Sequence, residues 1–155
     1  MTTEKLQEMM QIIVKQASEL RNKHTAEKGA QVNYSAIFSQ NQNEYEVLVS
    51  QAIQMGRIIL DTPTGPVFQI SPVNTAAGLL KLLKIRISDK TRPERGDADF
   101  TVKDYSAFKK TYLSQDGFKL IKKREDFEMI ELMDPEFNVR ACFSHPPLDQ
   151  QLGIS

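Results

Sequence analysis

Six side chains of this 155-residue chain have types and spacing suited to chemistry: Arg86, Arg92, Arg95, Asp97, Asp99 and Glu131. Four of them fall in TRPERGDAD, residues 91–99, together with Glu94. Guanidinium groups present forked, permanently charged donors, a geometry that takes a carboxylate or phosphate through two parallel hydrogen bonds. Asp97 and Asp99 are two residues apart, so on an extended strand they point to one face. Paired carboxylates there could hold Mg²⁺ or work as acid and base. Opposite charges at this density also satisfy one another, and an exposed pair is worth only about 0–1 kcal/mol. The stretch is therefore expected to be a salt-bridged hinge, its arginines held by nearby carboxylates such as Asp97 or Asp99. A ligand-binding rim is the competing expectation.

Other chemistries find less support. The single cysteine, Cys142, lies between Ala141 and Phe143, the setting of a small buried hydrophobe rather than a nucleophile. The two histidines, His24 and His145, fall far apart in the sequence, and His145 precedes Pro146, where a capping or surface imidazole is expected. There is no G-x-x-x-x-G-K, no G-x-G-x-x-G and no G-x-S-x-G, so nucleotide hydrolysis, dinucleotide redox chemistry and serine hydrolysis have no sequence support. Twenty basic residues balance twenty acidic ones, so no global field favours nucleic acid or an anionic bilayer. The basic strip KLIKKRE, residues 119–125, lacks the interleaved aromatics on which single-stranded bases stack. A lone cysteine, no uninterrupted apolar stretch at the N-terminus and no membrane-length apolar run make a cytoplasmic protein the expectation.

The elements that must position these residues follow from hydrophobic periodicity. Leu6, Met9, Met10, Ile13, Ala17 and Leu20 form one stripe of an amphipathic helix expected over residues 3–28. QVNYSAIFS reads as a strand. Asn43, with Glu46 three residues on, is the expected cap of a second helix, and Pro63-Thr64-Gly65 turns a hairpin. These make a first βαββ-like unit over residues 32–70. NTAAGLLKLL reads as a short helical turn inside a linker over residues 71–96, with KIRI extending into a strand. Residues 97–143 then run strand, helix, strand, strand, strand, and a proline-containing tail over residues 144–155 cannot continue a sheet. The fold class is α+β: a single domain whose mixed or antiparallel sheet is built from one or two βαβββ-like units, preceded by the amphipathic helix.

The second unit resembles the βαβββ module of the vicinal oxygen chelate superfamily, the glyoxalase and bleomycin-resistance proteins. The resemblance is carried by FTVKD (100–104), by YSAFKKTYLSQDGFKLI (105–121), similar to that family's helix ending in L-G-F, and by MIELMDPEFN (129–138), similar to its strand and D-P-x-G-N turn. It implies a sheet curved around a concave cleft. In metal-using members a histidine stands early in a module's first strand and a glutamate in its last; here those places hold Asp97 and Ala141. No metal and no cofactor are therefore expected. The expected function is metal-independent binding of a small, anionic molecule in the cleft. One alternative is a lyase or isomerase-type enzyme working through Asp97, Asp99 and Glu131, with or without Mg²⁺. Another is an adaptor that binds protein through its N-terminal helix. A homodimer is an expected assembly; nucleic acid and membrane are not expected partners.

Overall fold

A computed structural model describes residues 1–154. The first helix, α1 (Thr3–His24), starts where the Thr2 hydroxyl accepts a hydrogen bond from the Lys5 amide and ends four residues earlier than its periodicity suggested. Leu6, Met10, Ile13, Val14, Ala17 and Leu20 are buried, as an apolar stripe at helical spacing requires. Strand β1 (Gln31–Phe38) is followed by α2 (Gln42–Met55). Its cap is Asn41, whose side chain accepts from the Glu44 amide while Glu44 accepts from the Gln40 amide. Asn43 with Glu46 has the same spacing, so the sequence offered two registers and the chain uses the earlier one.

Strands β2 (Gly56–Thr62), β3 (Gly65–Thr75) and β4 (Gly78–Arg86) complete a first βαβββ unit. The expected linker over 71–96 is thereby corrected: its first sixteen residues lie mostly in β3 and β4, and NTAAGLLKLL is a turn and a strand, not a helical turn. Gly78 makes the turn at φ 100°, a conformation that disfavours any side chain. Leucine-rich LLKLL has helical propensity, but pairing on both edges overrides it: β4 lies parallel to β1 and antiparallel to β3. The second unit is β5 (Gly96–Thr101), α3 (Tyr105–Tyr112), β6 (Phe118–Arg124), β7 (Phe127–Leu132) and β8 (Val139–His145). A short helix, α4 (Leu148–Gln151), occupies part of the expected tail.

All eight strands form one sheet in the order β2-β3-β4-β1-β5-β8-β7-β6. The two units correspond strand for strand across the centre, where β1 and β5 pair antiparallel; β4 on one side and β8 on the other are each parallel to the first strand of their unit. Helices α1 and α2 cover one face of this sheet, with α3 joining them over the second unit. The main core lies between these layers: Ile37, Phe68, Leu83, Phe100, Ile130 and Phe143 are fully buried beneath the helices. The opposite face is indented by cavities, and the chemistry-bearing strand residues point towards it.

Candidate functional site

Strand alternation decides what the concave face contains. In β5, Ala98 and Phe100 enter the helix-covered core, so Asp97 and Asp99 project the other way. Across the centre Ala36 and Tyr34 pair with Asp97 and Asp99, and on the other side Arg140 and Cys142 do. Strand β4 adds Lys84, paired with Ala36, and Arg86 two residues on; β7 adds Met129 and Glu131, the latter opposite Cys142. The resemblance placed Ala141 at the last-strand position. Ala141 instead belongs to the core beneath the helices, and the cleft-facing residues of β8 are Arg140, Cys142 and Ser144. A shift of one residue moves a strand's side chains to the other face.

The arginines of the opening stretch divide between two roles. Arg95 does not line the cleft: it makes a bidentate pair with Glu44 of α2, at 2.7 and 3.0 Å, and donates to the Phe38 carbonyl at 3.1 Å. Arg92 donates to Glu131 at 3.1 Å and places its guanidinium over the Phe38 ring at 5.4 Å, while also lining the cleft. The partners are thus Glu44 and Glu131, not Asp97 or Asp99. Arg140, absent from the sequence expectation, takes the other Glu131 oxygen at 3.0 Å and ties it to the loop through Glu94 and the Thr91 carbonyl. Arg86 reaches Asp89 only at 3.8 Å, and its Nε is buried with no hydrogen-bond partner among the described residues.

These placements disturb the titrating groups. Lys84 donates to the Thr64 hydroxyl at 2.6 Å. Burial, and then the repulsion of Arg86, Lys122 and Arg92, lowers its pKa to about 8. Burial raises Asp97 to about 6, helped by the charge of Glu131, and raises Asp99 to about 7 against the opposing hydrogen bond from Ser144. One oxygen of each aspartate, Oδ1, has no partner among the described residues. Burial, reinforced by Asp97 and Glu131, pushes the Cys142 thiol up. Ligand atoms of Asp97, Glu131 and Cys142 do lie within 4.8 Å of one another. They fit a metal poorly: both Glu131 oxygens are taken by guanidinium groups, and the thiol is held in its protonated form, whereas a metal binds the thiolate.

The cleft has a narrow base and a wider mouth. A recess of about 40 Å³ is lined by Ala36, Arg86, Arg92, Asp97 and Glu131 among others. A cavity of about 390 Å³ adjoins it, bounded by Thr62 and Pro63 of the β2–β3 hairpin, by Phe127 and by Ser144. Tyr34, Lys84, Lys122 and Met129 line both. A larger depression, about 870 Å³, lies elsewhere, between Tyr105, Lys109, Phe127 and Glu128. It is shallow, and Glu128 there is already bound by Lys109 and Tyr105. Of the sequence candidates, the cleft collects Arg86, Arg92, Asp97 and Glu131 around one recess and leaves Arg95 outside. Asp99 lies buried beside Ser144. The sequence reading missed Lys84, Lys122, Tyr34 and Arg140. Alternation with buried neighbours marks Lys84 and Arg140 once the strands are known.

No protein-family model matches the chain, and no curated protein sequence does. Among solved structures it is similar to a structural-genomics protein designated EC4020, at 12% identity and a TM-score of 0.68, covering 94% of this chain and 92% of that one. It is also similar to an NAD-dependent benzaldehyde dehydrogenase from Legionella pneumophila, with 14% identity, a TM-score of 0.41 and coverage of 72% and 96%. Glyoxalase I from Zea mays matches at 19% identity and a TM-score of 0.40, over 75% of this chain and 43% of that one. The first of these shows a shared fold. The paired βαβββ topology is itself consistent with a vicinal-oxygen-chelate-like fold.

Proposed function

We propose that the protein is a metal-independent small-molecule-binding protein whose concave sheet face takes a small anion. The observation that carries this reading is an excess of cations facing one recess. Lys84, Arg86, Arg92 and Lys122 all line it, and burial, with repulsion from the other three cations added to it, lowers the pKa of Lys84 to about 8. The nearby carboxylates offset these four cations only in part. Glu131 is shared by Arg92 and Arg140, Asp97 is raised towards 6, and Asp99 is buried at about 7. An anion entering the recess would relieve that repulsion and give the buried Arg86 Nε the partner it lacks. A recess of about 40 Å³ exceeds the roughly 10–15 Å³ that one water requires and admits a group of a few heavy atoms. It therefore suits a carboxylate or phosphate oxygen pair, with the body of the ligand in the wider cavity. A thermal-shift screen against small carboxylates and phosphates tests the reading. Stabilisation by at least one such anion supports it, and no shift by any of them contradicts it.

One observation favours a second reading, an isomerase or lyase-type enzyme. Asp97 carries a pKa of about 6 and an unpartnered oxygen at the recess, the profile of an acid–base group. Both oxygens of Glu131 are bound by arginines, so it offers no free oxygen to a ligand. Exchange of a ligand's α-proton in D₂O, lost in Asp97→Asn and measured with and without Mg²⁺, would favour this enzyme.

A further inference from the structure

The residue least accounted for by simple anion binding is Lys84. It sits on β4 at the junction of recess and cavity, is 9% exposed, and is oriented by the Thr64 hydroxyl rather than by any carboxylate. Buried lysines usually find a carboxylate partner; this one faces Arg86 on its own strand, Arg92 on the loop and Lys122 from β6, with Asp97 across on β5. Cationic neighbours and desolvation are the two means by which a lysine amine is kept nucleophilic near neutral pH.

We propose that Lys84 forms an imine with the carbonyl of a small 2-oxo acid whose carboxylate lies against Arg86 and Arg92. The inference rests on the anion-binding reading above and names the ligand class for that site. In the step, the neutral Nζ lone pair forms a bond to the carbonyl carbon, and the C=O π pair moves to oxygen. That oxygen takes the proton of the Asp97 carboxyl, whose Oδ1 is unpartnered. The nitrogen returns a proton to the Asp97 carboxylate, leaving a neutral carbinolamine. Reprotonation of the hydroxyl by Asp97 then lets it depart as water while the nitrogen lone pair closes the C=N bond; loss of the remaining N–H proton to Asp97 completes the imine. Amine and ketone are consumed and imine and water are formed, with no net change in protons and no oxidant or reductant. Burial and cationic neighbours lower the pKa of Lys84 and so supply neutral amine at mild pH, and the raised pKa of Asp97, about 6, allows it both to give and to take the proton.

The full chain is incubated with pyruvate, reduced with borohydride, and digested for mass spectrometry; lactate, which has the carboxylate without the carbonyl, is run in parallel as a thermal-shift ligand. The expected result is a single reduced pyruvyl group on the Lys84 peptide. It should be lost in Lys84→Met and in Lys84→Arg, and lowered about tenfold or more in Arg86→Met, the scale for losing a hydrogen bond to a charged group. A cooperative thermal transition and an unchanged far-UV circular dichroism spectrum in Lys84→Arg show that the fold is intact. No labelling, or labelling indifferent to Lys84→Met, overturns the imine. If lactate or another small carboxylate or phosphate stabilises the wild type in that case, the anion-binding reading survives alone; if none of them does, both fall.

Discussion

At the scale of single residues, Arg92 and Arg95 show how one charged stretch can serve two ends. Arg95 and Glu44 are both partly exposed, so breaking their pair in Arg95→Ala is expected to cost about 0–1 kcal/mol. Arg92→Ala removes a hydrogen bond from a nearly buried carboxylate, for which about 1.5–3 kcal/mol is the scale, although Arg140 still holds the other oxygen. Urea unfolding of both variants checks the order; equal costs would contradict it. That Asp97 and Asp99 share a face was legible from their spacing alone, because strand periodicity is two. Their partners were not legible. Glu44, Glu131 and Arg140 come from a helix and two other strands, and which of them meets the loop depends on sheet order rather than on anything local.

At the scale of elements, the amphipathic helix and the strands of the second unit were readable, while the stretch between the units was not. The stripe from Leu6 to Leu20 carries its own period, and FEMIELM is a short, mostly apolar run of strand length. LLKLL carries no clean period, and its strand exists only because β1 and β3 flank it. Two predictions belong here. Ile130 is fully buried and Lys119 is exposed, so Ile130→Ala should lower stability by about 2–5 kcal/mol and Lys119→Ala should be near neutral. Similar losses at both would mean the β6–β7 register is wrong. Asn41→Ala should cost about 0.5–2 kcal/mol by removing the α2 cap, whereas Asn43→Ala, inside the helix and exposed, should change little. Thermal unfolding of the pair reports which register is used.

At the scale of the whole molecule, the composition is neutral but the charges are not evenly spread: the helix-covered core is apolar and the concave face gathers buried ionisable groups. That segregation has a consequence for stability. Asp97 and Asp99 keep their protons in the folded state to about pH 6 and 7, while in the unfolded chain they lose them near the ordinary value of 3.8. Between about pH 4 and 7 the folded state therefore binds more protons, and these two groups make stability fall as pH rises. Asp99→Asn, which removes that titration, should flatten the decline in urea-unfolding free energy across this interval; an unchanged slope would show that Asp99 titrates normally. The overall architecture was legible as an α+β sheet of βαβββ units, because element order survives where sequence identity does not. The cleft's content was legible only in part, since its cations come from three different segments: β4, the loop before β5, and β6. The central claim is that those cations take a small anion. It is tested most directly by calorimetric titration of the best stabilising, carbonyl-free anion into wild type, Arg86→Met, Arg92→Met and Arg95→Met. One-to-one binding that weakens about tenfold or more in the first two variants and is unchanged in Arg95→Met, whose guanidinium is spent on Glu44 outside the cleft, is the predicted result. Equal affinity in all four proteins would contradict the account.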